Sequence, residues 1–297
     1  MNYGSRPFRS VLYMPGSNRR ALEKAESLPA DALILDLEDA VAPGRKEEAR
    51  DLVAEALRKG EFGRRSVMVR INGFESPWHS RDLDAICAAG PEAVLLPKAS
   101  FDEDVRRLEA ALRQRGSDTR IWAMMETPLG ILNARAIASS SSRLAGFVLG
   151  TNDLAKDLGC RNLPDRSPLA TSLGIALLAA KTRGLICIDG VYNAYKDAEG
   201  LERECEQGRD LGFDGKSLIH PAQIEAANLA FAPSDGELDL ARRQVEAFDR
   251  AKAEGSGVAV LDGRIVENLH VETAKRTIAK SEAIAEMAKS ADLPSRK

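Results

Sequence analysis

The chain of 297 residues is 44% hydrophobic and 29% charged, an ordinary globular composition with enough apolar residues for a sizeable core. Its formal charge of −3 supplies no global basic field and argues against nucleic acid as a partner. Four scattered cysteines form no CxxC pair, no apolar run reaches membrane-span length, and MNYGSRPFRS contains no leader core, so a reduced, cytoplasmic protein without a membrane partner is expected.

Taken in chain order, short apolar runs alternate with helix-period segments. RSVLYMP (9–15) precedes SNRRALEKAESL, a helix opening on a Ser or Asn cap, and ALILDLED (32–39) precedes GRKEEARDLVAEALRKG, which ends in Gly. SVMVRIN (66–72) and AVLLPK (93–98) follow, and then DEDVRRLEAALRQRG, whose acids lie in the first turn and bases in the last, as the helix dipole favours. RIWAMMET (120–127), GFVLGTND (146–153) and LICIDGV (185–191) come next, and DAEGLERECEQGRDLG fills the gap before GKSLIH (215–220). Most of these runs are apolar throughout, as parallel strands covered on both faces require. Eight such units predict an α/β fold, a (β/α)8 TIM barrel, with a doubly wound open sheet as the rival.

After HPAQIEAANLAF the pattern changes. SDGELDLARRQVEAFDRAKAEG reads as a long amphipathic helix, VAVLDGRIV as a hairpin about Asp262-Gly263, and HVETAKRTIAKSEAIAEMAKS as another helix. The expected organisation is a barrel over 1–231 and a helical C-terminal extension over 232–297 that packs on the barrel or on a neighbouring subunit.

Barrels of this kind place their chemistry at the C-terminal strand ends. Here those ends carry Glu38 and Asp39, Arg70, Lys98, Glu126, Asp153, Asp189 and His220, and nearly every strand ending in an ionisable group points to a functional rim. Glu126 and Asp153 together suit a hard cation such as Mg²⁺, which takes one or two carboxylates plus water and substrate oxygens. Singly, Glu126 could serve a helix dipole and Asp153 could cap LAKDLG. Arg70 reads as a clamp on a carboxylate or as a rim ion pair to Glu38 or Asp39, and Lys98 as a second such group or a snorkelling lysine. PGSNRRALEKA, with Arg19 and Lys24, is a candidate phosphate site at a helix start. The histidines His79, His220 and His270 show no metal spacing.

With these residues in view, the sequence resembles the citrate lyase β-subunit-like family, grouped with malyl-CoA and citramalyl-CoA lyases in the HpcH/HpaI aldolase superfamily. RSVLYMPGSNRRALEKA, LILDLEDAVAPGRKEEAR, VRING, LPKA, METPLG, LGTNDLAKDLG, IDGVYNAYKD and GFDGKSLIHPAQIE stand in the family's order. The resemblance implies Mg²⁺, with Mn²⁺ as a substitute, on Glu126 and Asp153. It implies a 2-keto acid or its carboxylate on Arg70, Glu38 and Asp39 beside the metal, and the CoA phosphates near Arg19, Lys24 and neighbouring bases. A homotrimer or hexamer is also implied. Many members offer a C-terminal Asp from the neighbouring subunit as general base. The matching stretch here, DGRIVENLHVETAKR, carries Glu267.

The expected activity is a Mg²⁺-dependent carbon–carbon lyase that cleaves a malyl-, methylmalyl- or citramalyl-CoA thioester to an acyl-CoA and a 2-keto acid. Arg70, Glu38, Asp39 and Glu267 are its candidate catalytic residues. The alternatives are a thioesterase acting on a malyl-CoA-like thioester and a citryl-carrier-protein lyase subunit. A scaffold that had lost catalysis would show damaged metal or arginine positions, and Glu126, Asp153 and Arg70 are all present.

Overall fold

Along each short strand, alternate side chains leave on opposite faces, and here both faces are apolar. The computed structural model describes residues 6–291, so the first half of MNYGSRPFRS, read above for a leader core, lies outside the described residues. Strands β1 (Ser10–Pro15), β2 (Ala32–Asp36), β3 (Ser66–Arg70), β4 (Ala93–Leu96), β5 (Arg120–Met125), β6 (Leu144–Leu149), β7 (Ile186–Asp189) and β8 (Gly215–Leu218) pair in parallel in that order. β8 returns to β1 and closes the barrel. Leu33, Leu35, Val67, Val69, Val94, Ile121, Phe147 and Cys187 face outward into one continuous core beneath the helices. The intervening Ile34, Met68, Trp122, Val148 and Ile188 are fully buried and fill the barrel. Gly146 makes room for this filling, because a Cβ there would stand 2.5 Å from the Trp122 ring.

The connections are α1 (Arg19–Ala25), α2 (Lys46–Lys59), α3 (His79–Ala89), α4 (Asp102–Gln114), α5 (Pro128–Leu132), α6 (Ala134–Ala138), α7 (Thr151–Leu158), α8 (Ala170–Lys181), α9 (Ala198–Leu211) and α10 (Ile224–Ala230). α2 stops where Gly60 turns left-handed at φ 66°. Several strands end earlier than their apolar run suggests. β2 stops at Asp36 and β5 at Met125, which leaves Glu38, Asp39 and Glu126 in the loops that follow. Asp153 is not the cap of its helix. α7 begins at Thr151 behind Gly150, and Asp153 lies in its first turn.

Phe8–Phe231 forms one compact unit, and the residues from Ala232 onward, with Arg6 and Pro7, form a second. In the second unit α11 (Asp235–Ala253) packs on α12 (Asn268–Ala291), with the hairpin β9 (Ala259–Leu261) and β10 (Arg264–Val266) between them in sequence. Asp262 and Gly263, at φ 49° and 75°, make the two-residue turn that an Asp-Gly pair favours. Ala259, Val266 and Val271 form its small core with Val245 and Phe248.

Candidate active site

Register sets the first part of the site. Pro15, Asp36, Arg70 and Leu95 stand side by side at the ends of β1 to β4. Arg70 is 6% exposed. It donates from Nε and Nη2 to Asp36 Oδ1 and Oδ2 at 2.7 and 2.6 Å, a two-pronged contact that fixes the guanidinium plane. Asp36 also accepts from the backbone N–H groups of Glu38 and Ala40 at 2.9 and 3.0 Å, so one buried carboxylate orders both the arginine and the acidic loop. The Arg70 fork toward Asp36 is therefore already used, and its remaining Nη edge faces other groups. Nη1 lies 2.9 Å from Glu38 Oε2 and 3.4 Å from Asp39 Oδ2. Burial alone would lower the Arg70 pKa, but Asp36 more than reverses that and keeps the group charged.

Lys46 holds the same loop from below. Its Nζ donates to the Leu37 and Glu38 carbonyls and to Asn72 Oδ1, each at 2.8 Å. Glu38 is buried, and its pKa is raised by that burial, with Asp39 and Asp36 adding and Arg70 and Lys98 opposing. Its Oε2 is an ion-pair neighbour of Arg70 yet receives no hydrogen bond.

Glu126 is 1% exposed. Its Oε1 accepts from the Lys98 backbone N–H at 2.7 Å, an N–H aimed by the left-handed backbone of Lys98 at φ 53°. Its Oε2 has no partner. Burial pushes the carboxyl up to about 8, with the Glu38 and Asp153 charges adding and the Lys98 N–H and Arg70 opposing. Gly150 lies directly against it, since a Cβ there would come within 2.5 Å of Oε2. Thr127 caps the next helix instead of Glu126, its Oγ1 accepting from the Gly130 N–H at 3.0 Å. Lys98 Nζ reaches Glu38 Oε1 at 3.4 Å, and the Glu38, Glu126, Asp39 and Asp153 charges raise its pKa against the lowering effect of burial.

Carboxylates thus outnumber cations in this pocket, and the buried Glu126 Oε2 has no hydrogen-bond partner. Such an arrangement favours a bound cation. Among the described residues no three His, Cys, Asp or Glu side chains form a metal cage. The donor set instead fits a hard cation that takes two carboxylates and completes its shell with water or ligand oxygen.

The remaining residues singled out in the sequence lie elsewhere. Asp189 shares the parity of Cys187 and faces the helices, where it meets Arg166 at 2.7 and 2.8 Å and Lys216 at 3.0 Å. His220 turns its Nδ1 to the Ala222 N–H and stacks on Tyr195. Arg19 forks onto Glu55 at 3.0 and 2.9 Å in a cleft of about 730 Å³ that also holds Arg20, Arg45, Glu48 and Asp51. Lys24 is exposed on α1. Glu267 belongs to the second unit and is exposed. It caps α12, its carbonyl accepting from His270 and Val271 while its N–H donates to His270 Nδ1 at 3.0 Å.

Asp36, Tyr13, Met124 and Gly150 were not singled out. Strand parity is the signal that reveals the first three, because Tyr13 and Met124 share the inward face with Asp36 and Arg70, whereas Gly150 follows β6 and carries no such signal. Arg70 stands over the Tyr13 ring at 5.0 Å and 3.7 Å from the Met124 sulfur.

The pattern of the HpcH/HpaI aldolase/citrate lyase family matches residues 9–221. A (3S)-malyl-CoA thioesterase of Cereibacter sphaeroides (strain ATCC 17023) is 54% identical over 285 residues, 96% of this chain and 98% of that protein. A citrate lyase subunit beta of Escherichia coli (strain K12) is 36% identical over 285 residues, 94% of each chain. Among solved structures, CitE from Mycobacterium tuberculosis in complex with magnesium, acetoacetate and coenzyme A superposes with a TM-score of 0.77 at 28% identity, covering 94% of this chain and 99% of that one.

Proposed function

The chain belongs to the HpcH/HpaI aldolase/citrate lyase family, and from that premise we propose that it is a Mg²⁺-dependent thioesterase that hydrolyses a malyl-CoA-like thioester to the free hydroxy acid and CoA. The observation that carries the reading is the buried Glu126 carboxylate, one oxygen fixed by Lys98 N–H and the other orphaned beside Gly150. The choice of hydrolysis over carbon–carbon cleavage leans on full-length likeness to a malyl-CoA thioesterase at 54% identity, against 36% for a citrate lyase subunit.

In this reading Glu126 and Asp153 hold the cation, with Mn²⁺ as a substitute. When bound, the cation supplies Lewis-acid polarisation and a template for oxygen ligands. Arg70, its plane fixed by Asp36, turns its Nη1 edge to the substrate carboxylate, which takes the place Glu38 holds beside Nη1 at 2.9 Å. Glu38 and Asp39 would accept hydrogen bonds from water or substrate beside the cation, and Lys98, 3.4 Å from Glu38, would add positive charge. Burial of Arg70, Glu38 and Glu126 strengthens the interactions made by those three groups. We assign CoA phosphate binding to Arg19, Lys24 and their basic neighbours. Arg19 must leave Glu55 to take part. Glu267, offered by the tail of a neighbouring chain in a trimer or hexamer, is the proposed general base. The domain division proposed is 1–231 for the barrel and 232–297 for this extension.

The second reading is the lyase, in which the same carboxylate moves a proton at the acyl carbon. It is favoured by the retained carboxylate at 267 and by the citrate lyase relatives. The test is product identification after incubation with (3S)-malyl-CoA and Mg²⁺. Malate and free CoA without glyoxylate are expected. Glyoxylate with acetyl-CoA would replace hydrolysis by the second reading, and an untouched substrate would reject both.

A further inference from the structure

Tyr13 sits on the inward face of β1, half-buried where its neighbours Leu12 and Met14 are buried. Its ring lies beneath the Arg70 guanidinium at 5.0 Å. Among the described residues its hydroxyl has a single hydrogen-bond partner, the Met124 thioether at 3.8 Å. A thioether is a weak acceptor, so the phenol enters a pocket of carboxylates and arginine with its donor hydrogen nearly unspent. Phenylalanine would fill the same space and keep the same contact with Arg70. The hydroxyl is thus available to a group from outside the chain.

We propose that the Tyr13 hydroxyl donates a hydrogen bond to the 2-hydroxycarboxylate end of the substrate, to an oxygen that Arg70 also binds. This rests on the functional reading above. The geometry supports it because Arg70 spends its Nε/Nη2 fork on Asp36 and has only Nη1, itself 2.9 Å from Glu38 Oε2, for a substrate oxygen, so a second donor on the same wall helps hold that oxygen. Met124 lies within reach of both Arg70 Nη1 and Tyr13, so the two groups share one wall. Burial raises the Tyr13 pKa, Arg70 opposes this, and Asp36, Glu126 and Glu38 reinforce it. The phenol is needed only as a donor. No bond to carbon is made or broken at Tyr13. Its part is to hold an oxygen in place and share its charge.

The test compares wild type with Tyr13→Phe by calorimetric titration of (S)-malate into Mg²⁺-loaded protein, by turnover of malyl-CoA, and by melting temperature and Mg²⁺ affinity. Malate binding and kcat/KM are expected to fall about 10- to 100-fold, the loss of one hydrogen bond to a charged group, with melting and Mg²⁺ affinity unchanged. Wild-type malate binding and turnover in Tyr13→Phe overturn the proposal and leave the thioesterase reading standing. A lowered melting temperature or Mg²⁺ affinity that accounts for the loss also overturns it, because the hydroxyl then serves packing. If wild type neither binds malate nor consumes malyl-CoA, the functional reading itself fails and the proposal falls with it.

Discussion

At the scale of single residues, the site depends on what lies behind each functional group. Asp36 holds Arg70 and the Glu38 loop together, the Lys98 N–H fixes one oxygen of Glu126, and Gly150 leaves space for the other. Gly150 has φ −100°, a value open to any residue, so replacing it costs nothing in backbone strain. Gly150→Ala therefore acts through side-chain contacts, pressing on Glu126 first and on the Met124 methyl second. Divalent-metal affinity is expected to drop about 10- to 100-fold, as for loss of a group that supports a metal ligand, while the fold persists. Calorimetric Mg²⁺ titration checks this, and wild-type affinity would show that Glu126 does not need its present position. Glu126, Asp153, Arg70, Glu38, Asp39 and Lys98 were all legible in the sequence as strand-end polar residues. Asp36 and Tyr13 were not, because a charge or phenol inside an apolar run looks the same whether it faces the barrel or the helices.

At the scale of elements, parity decides what a strand-end charge does. Asp189 ends β7 as Arg70 ends β3, yet it points outward against α9 and is fully buried with Lys216, Arg166 and Glu204. Burial would raise its pKa, but Lys216 and Arg166 hold it below the ordinary range. A depressed folded value means the cluster stabilises fully above the unfolded pKa of about 3.9 and loses that contribution as pH falls through the folded value. Asp189→Asn is therefore expected to be much less stable than wild type near about pH 7, with the gap narrowing toward about pH 2. Denaturant unfolding at both values measures it, and a gap independent of pH would show that the carboxylate charge is not what counts. All eight strands were legible because their apolar runs are bounded by turns. α8 was harder to read, since ATSLGIALLAAK is apolar on most sides and offers no stripe, and α5 and α6 span five residues each.

At the scale of the whole molecule, the proposed part of Glu267 as general base is a matter of assembly. It caps α12 in the second unit, exposed, and the proposal sends it to a neighbouring chain. That arrangement makes complementation possible. Arg70→Lys and Glu267→Ala chains, each expected to be nearly inactive alone, should regain activity when co-assembled, because one mixed interface carries both intact groups. No recovery in verified mixed oligomers would place Glu267 in its own chain's site or outside catalysis. Among the described residues no helix is long and apolar enough to cross a membrane.

The most direct test is a Mn²⁺ titration followed by the electron paramagnetic resonance signal of the free ion, on wild type, Glu126→Gln and Asp153→Asn. Wild type should show a saturable site that Mg²⁺ displaces, and both variants should lose it while retaining wild-type circular dichroism. Undiminished Mn²⁺ uptake in both variants would contradict the assignment of Glu126 and Asp153 as the metal ligands, and with it the chemistry built on them.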